Sequence, residues 1–413
     1  MSSPLLLPQD TITRIKNQGP NLITDEQNGS RKVSLSLISI PGSRSSSDSM
    51  TDEPAFIDIP VRLESASTFE FLCYTAEKSK QIFDAFVLKQ EVTRTTLSIK
   101  GYARKHTTHF CDEAEDTADG WVAAMKEAGI KNEIQAALMK KEHEKIRKTC
   151  TLSNWIETVI ETNYLTLVDM NARILCEVGE PANIPSRGGG EDEYTIPQMP
   201  GGHLALFKSV DFARAAGCIS EDGTIDLAQL ESYGPTDFAR RGGLYFTHQL
   251  WVARHNSALI NDMCPVSDRR TLEIHVPLAH FDEVKTWDLK PDEDDFKRLL
   301  YFSRRNETYP KDLSRKRAAH GIIQGPIAHT HTVAFGKMTS WEQVTDKNIL
   351  REDDEEGGAM KLAKQYVWIK DSAVEQLQVD CVGKAFLRRP ERGFRKVAQP
   401  WNDVSSKSKP ALV

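Results

Sequence analysis

The stretch at 237–255, DFARRGGLYFTHQLWVARH, puts two glycines, a short aromatic strand and the start of a helix into nineteen residues. Gly242 and Gly243 carry no Cβ, so the backbone there can come close to another segment or to a ligand. Beyond them, strand alternation sends Leu244 and Phe246 to one face and Tyr245 and Thr247 to the other. The first face is expected in a core, and the second presents a phenol ring to a flat ligand. Thr247 is then the expected cap of a helix carrying Leu250, Trp251, Ala258 and Leu259 on one side.

Segments of the same grain surround this stretch. HLALFKSV (203–210), RTLEIHVPL (270–278), GIIQGPI (321–327) and QYVWIK (365–370) read as strands, and DEDDFKRLLYFSRR reads as a helix with Phe296, Leu299, Leu300 and Phe302 as its buried stripe. Short strands with intervening helices predict an α+β domain over 203–383. Upstream, residues 56–178 have helical periodicity throughout. Ile82, Phe83, Phe86 and Val87 mark one helix; Trp121, Val122, Met125, Ile130, Ile134, Leu138 and Ile146 mark the next segment. A third helix, capped by Thr151, carries Trp155, Ile156, Val159, Ile160, Tyr164, Leu165 and Val168. Between the two regions, GEPANIPSRGGGEDEYTIPQMPGG (179–202) holds four prolines and six glycines and marks a linker. Residues 1–55, rich in Ser, Asp, Gly and Pro, are expected to be a disordered arm with one apolar burst, Val33 to Ile40. The tail, 384–413, is basic and then polar.

A chain of 413 residues exceeds what one core usually holds. Its net charge of −6 argues against a whole-chain nucleic-acid binder, which leaves only the tail, with six Lys or Arg against one Glu in 384–396, as a basic surface. No apolar stretch approaches a membrane span, and MSSPLLLPQD reads as neither signal nor anchor. Seven widely spaced cysteines with no CxxC pair read as reduced thiols of a cytoplasmic or nuclear protein rather than as zinc ligands. His329 and His331 alternate in AHTHT but lack a third ligand at a recognisable spacing, so no metal is expected. No phosphate-cradling glycine motif follows a strand.

Taken in order, LALFKS, DFARRGGLYFTHQLWVARHNSAL, TLEIHV, HGIIQGPIA and KQYVWIKDSAVEQL resemble the ADP-ribosyltransferase-like fold over about 203–380. The resemblance implies a split β-sheet domain with a cleft that clamps NAD, and it places Lys208, Ser209, Gly243, Tyr245 and Thr247 at the cofactor. Tyr245 would be the ring that stacks on nicotinamide. Gln365 stands where active members carry the catalytic Glu, and Lys208 stands where they carry His or Arg. An amide hydrogen-bonds a ribose hydroxyl but cannot offset the charge of an oxocarbenium ion. Glu273, in TLEIHV, is the alternative carboxylate if it points into the cleft.

The implied function is a protein that binds NAD or ADP-ribose and resembles a mono-ADP-ribosyltransferase, with a protein target. Two alternatives stay open: a non-enzymatic interaction or regulatory protein with a degenerate cleft, and a nucleic-acid-associated protein acting through its tail.

Overall fold

The computed structural model describes residues 5–38, 56–93, 98–112, 114–115, 117–179, 197–215, 217–232, 234–330, 332–352 and 361–388. The chain is α+β, with nine strands among these residues. They are β1 (Ser30–Ser34), β2 (Phe56–Pro60), β3 (His203–Asp211), β4 (Leu244–Phe246), β5 (Arg269–Pro277), β6 (Thr286–Asp288), β7 (Ile322–Pro326), β8 (Lys364–Trp368) and β9 (Ala385–Arg388). The five strands read from the sequence are all present, each within two residues of the expected ends.

The expectation of a disordered N-terminal arm is corrected over residues 5–38, while 1–4 and 39–55 lie outside the described residues. A helix, Gln9–Gln18, buries Ile12 and Ile15, and β1 pairs antiparallel with β2 in the register Val33↔Ile57. These residues form one apolar cluster with Leu167, Met170 and Ile174 of the long helix Leu152–Glu177. The arm's own composition is too polar to collapse, but Ile12, Ile15 and Val33 join a cluster with helix residues more than a hundred positions away. The same contact explains a second departure. Val168, expected in the buried stripe, is 42% exposed, whereas Leu167 is 1% exposed. The second half of that helix turns a different face inward because its partner there is the N-terminal layer.

The helical unit begins as expected. Side chains of Ser65, Ser98, Thr117 and Thr151 each accept a backbone N–H from the first turn of a helix. Gly129, at φ 76°, ends Ala118–Ala128 in the left-handed conformation that a Cβ disfavours, and so divides the long periodic segment in two. Trp121, Met125, Ile134, Leu138, Trp155 and Ile160 are all buried.

Downstream there are two sheets, ordered β3-β5-β9 and β4-β8-β7-β6. Their backbones are bridged where Phe207 and Thr247 exchange hydrogen bonds of 2.6 and 3.0 Å, and their apolar faces share a core through Leu206, Leu244, Leu272 and Trp368. Past that pair, β3 and β4 part. The tail expected from residue 384 contributes β9, paired with β5 in the register Glu273↔Phe386.

The boundary expected at 179–202 does not separate two cores. The helix Leu250–Met263 leaves β4 and inserts Val252, Leu259, Ile260 and Met263 into the helical core, joined there by Leu350 and Ala363. Its buried stripe is rotated from the expected Leu250, Trp251, Ala258 and Leu259 because it packs on helices as well as on β3. Residues 180–196 of the linker lie outside the described residues.

If the N-terminal layer is part of the fold, Ile15→Ala, at a fully buried position, should destabilise the protein by about 2–5 kcal/mol. A thermal melt reads this directly, and an unstructured arm would leave Tm unchanged.

Candidate functional site

The opening stretch begins with its most consequential residue. Asp237 is buried, and every described contact of its carboxylate is internal. Oδ1 accepts from Arg304 Nε at 2.6 Å, and Arg304 Nη2 also pairs with it. Oδ2 accepts from the backbone of Ala328 at 2.9 Å and from Gln365 Nε2 at 2.6 Å. The same Gln365 nitrogen donates to Pro326 O at 3.0 Å, and Arg304 Nη2 donates to Thr149 O at 2.8 Å. One carboxylate thus ties β7, β8, the helix Asp294–Arg304 and the helical unit together. Sequence reading passed over both Asp237 and Arg304. The available signal was spacing: Arg304 follows Phe296 and Leu300 at four-residue intervals, on the buried stripe, where a cation requires a partner.

This arrangement corrects the expected place of Gln365. Gln365 is 6% exposed, and its carboxamide is bonded to the protein interior. Tyr245 lies on the same face, since it pairs with Val367 and alternation puts Val367 and Gln365 together. The phenol ring is likewise held by the protein. Its hydroxyl meets Thr236 Oγ1 and accepts from Phe238 N at 3.4 Å, and burial pushes the phenol well up. Thr247 Oγ1 donates to Lys364 O at 2.8 Å and accepts from Gln249 N, so it steadies the chain just before the helix. The close approach that Gly243 permits is made by the chain itself. Gly243 exchanges backbone hydrogen bonds with Ser232, and a Cβ there would sit 3.1 Å from Trp368 O.

Lys208 is on the other side. Phe207 shares a face with Thr247, so alternation along β3 sends the next residue, Lys208, to the opposite face. Its Nζ reaches Tyr245 only at the carbonyl oxygen, 3.2 Å away, and no carboxylate pairs with it among the described residues. Burial pushes this amine down to about 7, with Arg214 and Arg269 adding repulsion. Ser209 Oγ accepts from Ser257 at 2.8 Å and from Arg269 Nη2 at 3.0 Å, away from the parting of the sheets. Next to it, burial pushes Asp211 up to about 6 against the pull of Arg269. Asp211 Oδ2 and Arg269 Nε are both buried without a hydrogen-bond partner, although the two residues face each other across β3 and β5.

Glu273 shares a face with Phe207 and is buried. One oxygen meets His275 Nε2 at 2.8 Å and the other accepts from Arg388 Nε on β9. Burial by itself would raise its carboxyl, but the bonds from Arg388 and His275 outweigh that and hold it below its ordinary value. The expected residues therefore fall into three groups. Tyr245, Thr247 and Gln365 share one face as structural side chains, Lys208 projects from the opposite face, and Ser209 and Glu273 belong to separate networks on the three-stranded sheet.

Glu142, His143 and Asp262 cluster closely enough to suggest a metal. Lys140 Nζ, however, lies 2.5 Å from the Asp262 Oδ2 that also meets His143 Nε2 at 2.8 Å, so the carboxylate is already neutralised by the protein. His331 of the AHTHT pair lies outside the described residues. No protein-family model, curated protein or solved structure matches the chain.

Gln365→Glu removes both amide donors and sets a second carboxylate against Asp237, so denaturant titration at pH 7 should show a loss of about 3 kcal/mol or more. The burial of the new carboxyl and the charge of Asp237 raise its folded pKa above the unfolded one. The folded variant therefore holds the extra proton, and the deficit should shrink as pH falls toward 5. Unchanged stability at pH 7 would show that the amide is not committed to Asp237.

Proposed function

We propose that this chain is a non-catalytic interaction protein built on an ADP-ribosyltransferase-like split sheet, in which the position of the catalytic carboxylate has become a structural tie. The order of the five strand motifs and the parting of two sheets beyond the Phe207–Thr247 pair support the fold. One observation carries the absence of turnover: Gln365 is neutral and spends its donors on Asp237 and Pro326. Gln365 offers an oxocarbenium-like transition state no negative charge, and that of Asp237 is already paired with Arg304; losing one such contact costs a factor of about 10²–10³ in rate.

A second reading, that the domain still binds NAD or ADP-ribose, is favoured by Lys208. Its amine stands where the sheets part and has no acidic partner among the described residues, so a diphosphate can supply the missing charge. Such a ligand would favour the protonated amine.

Incubated with NAD, the protein should release nicotinamide no faster than buffer. ADP-ribose titrated by calorimetry should bind more tightly as pH falls from 8 to 6, because the amine takes up a proton through about 7. Lys208→Met should abolish this pH-dependent component of the binding. Saturable nicotinamide release that disappears in Glu273→Gln would overturn the non-catalytic reading. Failure of millimolar ADP-ribose to bind would remove the second reading and leave the first intact.

A further inference from the structure

Most arginines whose guanidinium is buried or half-buried in this protein answer to a carboxylate or a ring of carbonyls. Arg304 has Asp237, Arg305 has Glu307, and Arg298 takes Asp312 through two nitrogens at 2.7 and 3.0 Å. Arg240 and Arg317 are different. Arg240 lies in the opening stretch and Arg317 on the helix Lys311–Ala319, yet their guanidinium carbons lie 5.8 and 5.6 Å from the centroid of one ring, that of Tyr309. Neither has a carboxylate partner among the described residues, and the Nε of each is buried without a hydrogen-bond acceptor.

The protein's nearby acids are already engaged. Asp312 is taken by Arg298, and Asp295 is taken by Lys316 at 2.5 Å. Tyr309 cannot swing away freely, because its hydroxyl is bonded to Ser303 Oγ at 2.9 Å. The fold thus holds two like charges against a single anchored ring. Attraction to the ring stabilises each cation, but it leaves the inward Nε donors unused. Around them the field is positive: Lys311 and Arg315 are exposed on the same helix, and Arg241 is exposed next to Arg240.

We propose that Arg240 and Arg317, braced on Tyr309, form a binding site for a phosphate group. Two planar forks with free donors suit an acceptor that offers several oxygens and up to two negative charges, which a phosphate does and a single carboxylate does not. The group arrives either as a free phosphate or as part of a small phosphorylated ligand such as a nucleotide diphosphate. This site rests on different residues from the parting of the sheets and does not depend on how Gln365 is read.

Isothermal titration of the full chain with inorganic phosphate, at ionic strength held constant with chloride, tests the proposal. Saturable binding is expected, together with a rise in Tm that follows the phosphate concentration and not the chloride. Arg317→Gln, on a solvent-facing helix, should keep the circular dichroism spectrum and weaken phosphate binding about tenfold or more. Arg240→Gln should do the same, whereas Lys208→Met should leave phosphate binding unchanged. ADP-ribose provides the second arm. If it binds much more tightly than phosphate and loses that advantage in Arg317→Gln, the group is carried on a nucleotide; equal affinities point to the free anion. A purely structural stack would lower Tm in the arginine variants without altering the response to phosphate. That result overturns the site, as does a wild-type protein on which phosphate acts no differently from chloride.

Discussion

The buried pair of Asp237 and Arg304 is the constraint on which the downstream half depends. Removing two charges from water costs several kcal/mol for each ion, and the loss is recovered only if the remaining donors and acceptors are satisfied. Here they are met by Gln365, Ala328 and Thr149, which come from β8, the turn after β7 and the helical unit. Because each partner sits on a different element, the elements must all arrive for any of them to be satisfied. The network therefore fixes how β7, β8 and the helix Asp294–Arg304 sit against the helical unit. It also holds the loop that carries Arg240, so the arginine pair on Tyr309 inherits its position from the same anchor.

A less settled group of charges lies at the other end of β3. Asp211 is charged in an unfolded chain above about pH 4 but only above about 6 in the folded one, so stability falls as pH rises through that interval. Lys208 acts in the opposite sense. Its folded amine gives up its proton near 7, far below the unfolded value of about 10.4, so folding must bury a cation below pH 7 and stability recovers as pH rises toward 10. At neutral pH both groups oppose the burial of β3, Asp211 on the face where Ser209 meets Ser257 of Leu250–Met263 and Lys208 on the opposite face. The protein keeps these costs along one strand, with Lys208 beside the Phe207–Thr247 bridge and Asp211 at the strand's end, and perturbed groups of this kind concentrate where folded domains bind ligands.

Much of the architecture was legible in the chain. Alternation found the five principal strands, and the 3.6-residue period found the helical core around Trp121, Leu138 and Trp155. Thr151 marked the start of the long helix as its cap. The N-terminal layer was not legible, because composition averaged over 55 residues hides Ile15 and Val33, whose burial depends on Leu167 and Ile174. The candidate site was legible only as a set of residue types. Tyr245 and Gln365 do share a face, as their places in two strands require, but their polar atoms are claimed by Thr236, Phe238, Asp237 and Pro326.

By itself the sequence determined the periodicities, and with them which residues alternate, which share a helical stripe and where the backbone can turn tightly, since all of these follow from covalent geometry over a few residues. Only the tertiary structure decided which long-range partner each polar group meets. Whether Gln365 faces a ligand or Asp237, whether Lys208 points with Tyr245 or away from it, and whether Arg240 reaches the Tyr309 ring depend on contacts between segments about 40 to 130 residues apart. No local propensity encodes such contacts. They are selected when burial removes water and every unpaired donor, acceptor or charge must find its partner within the fold.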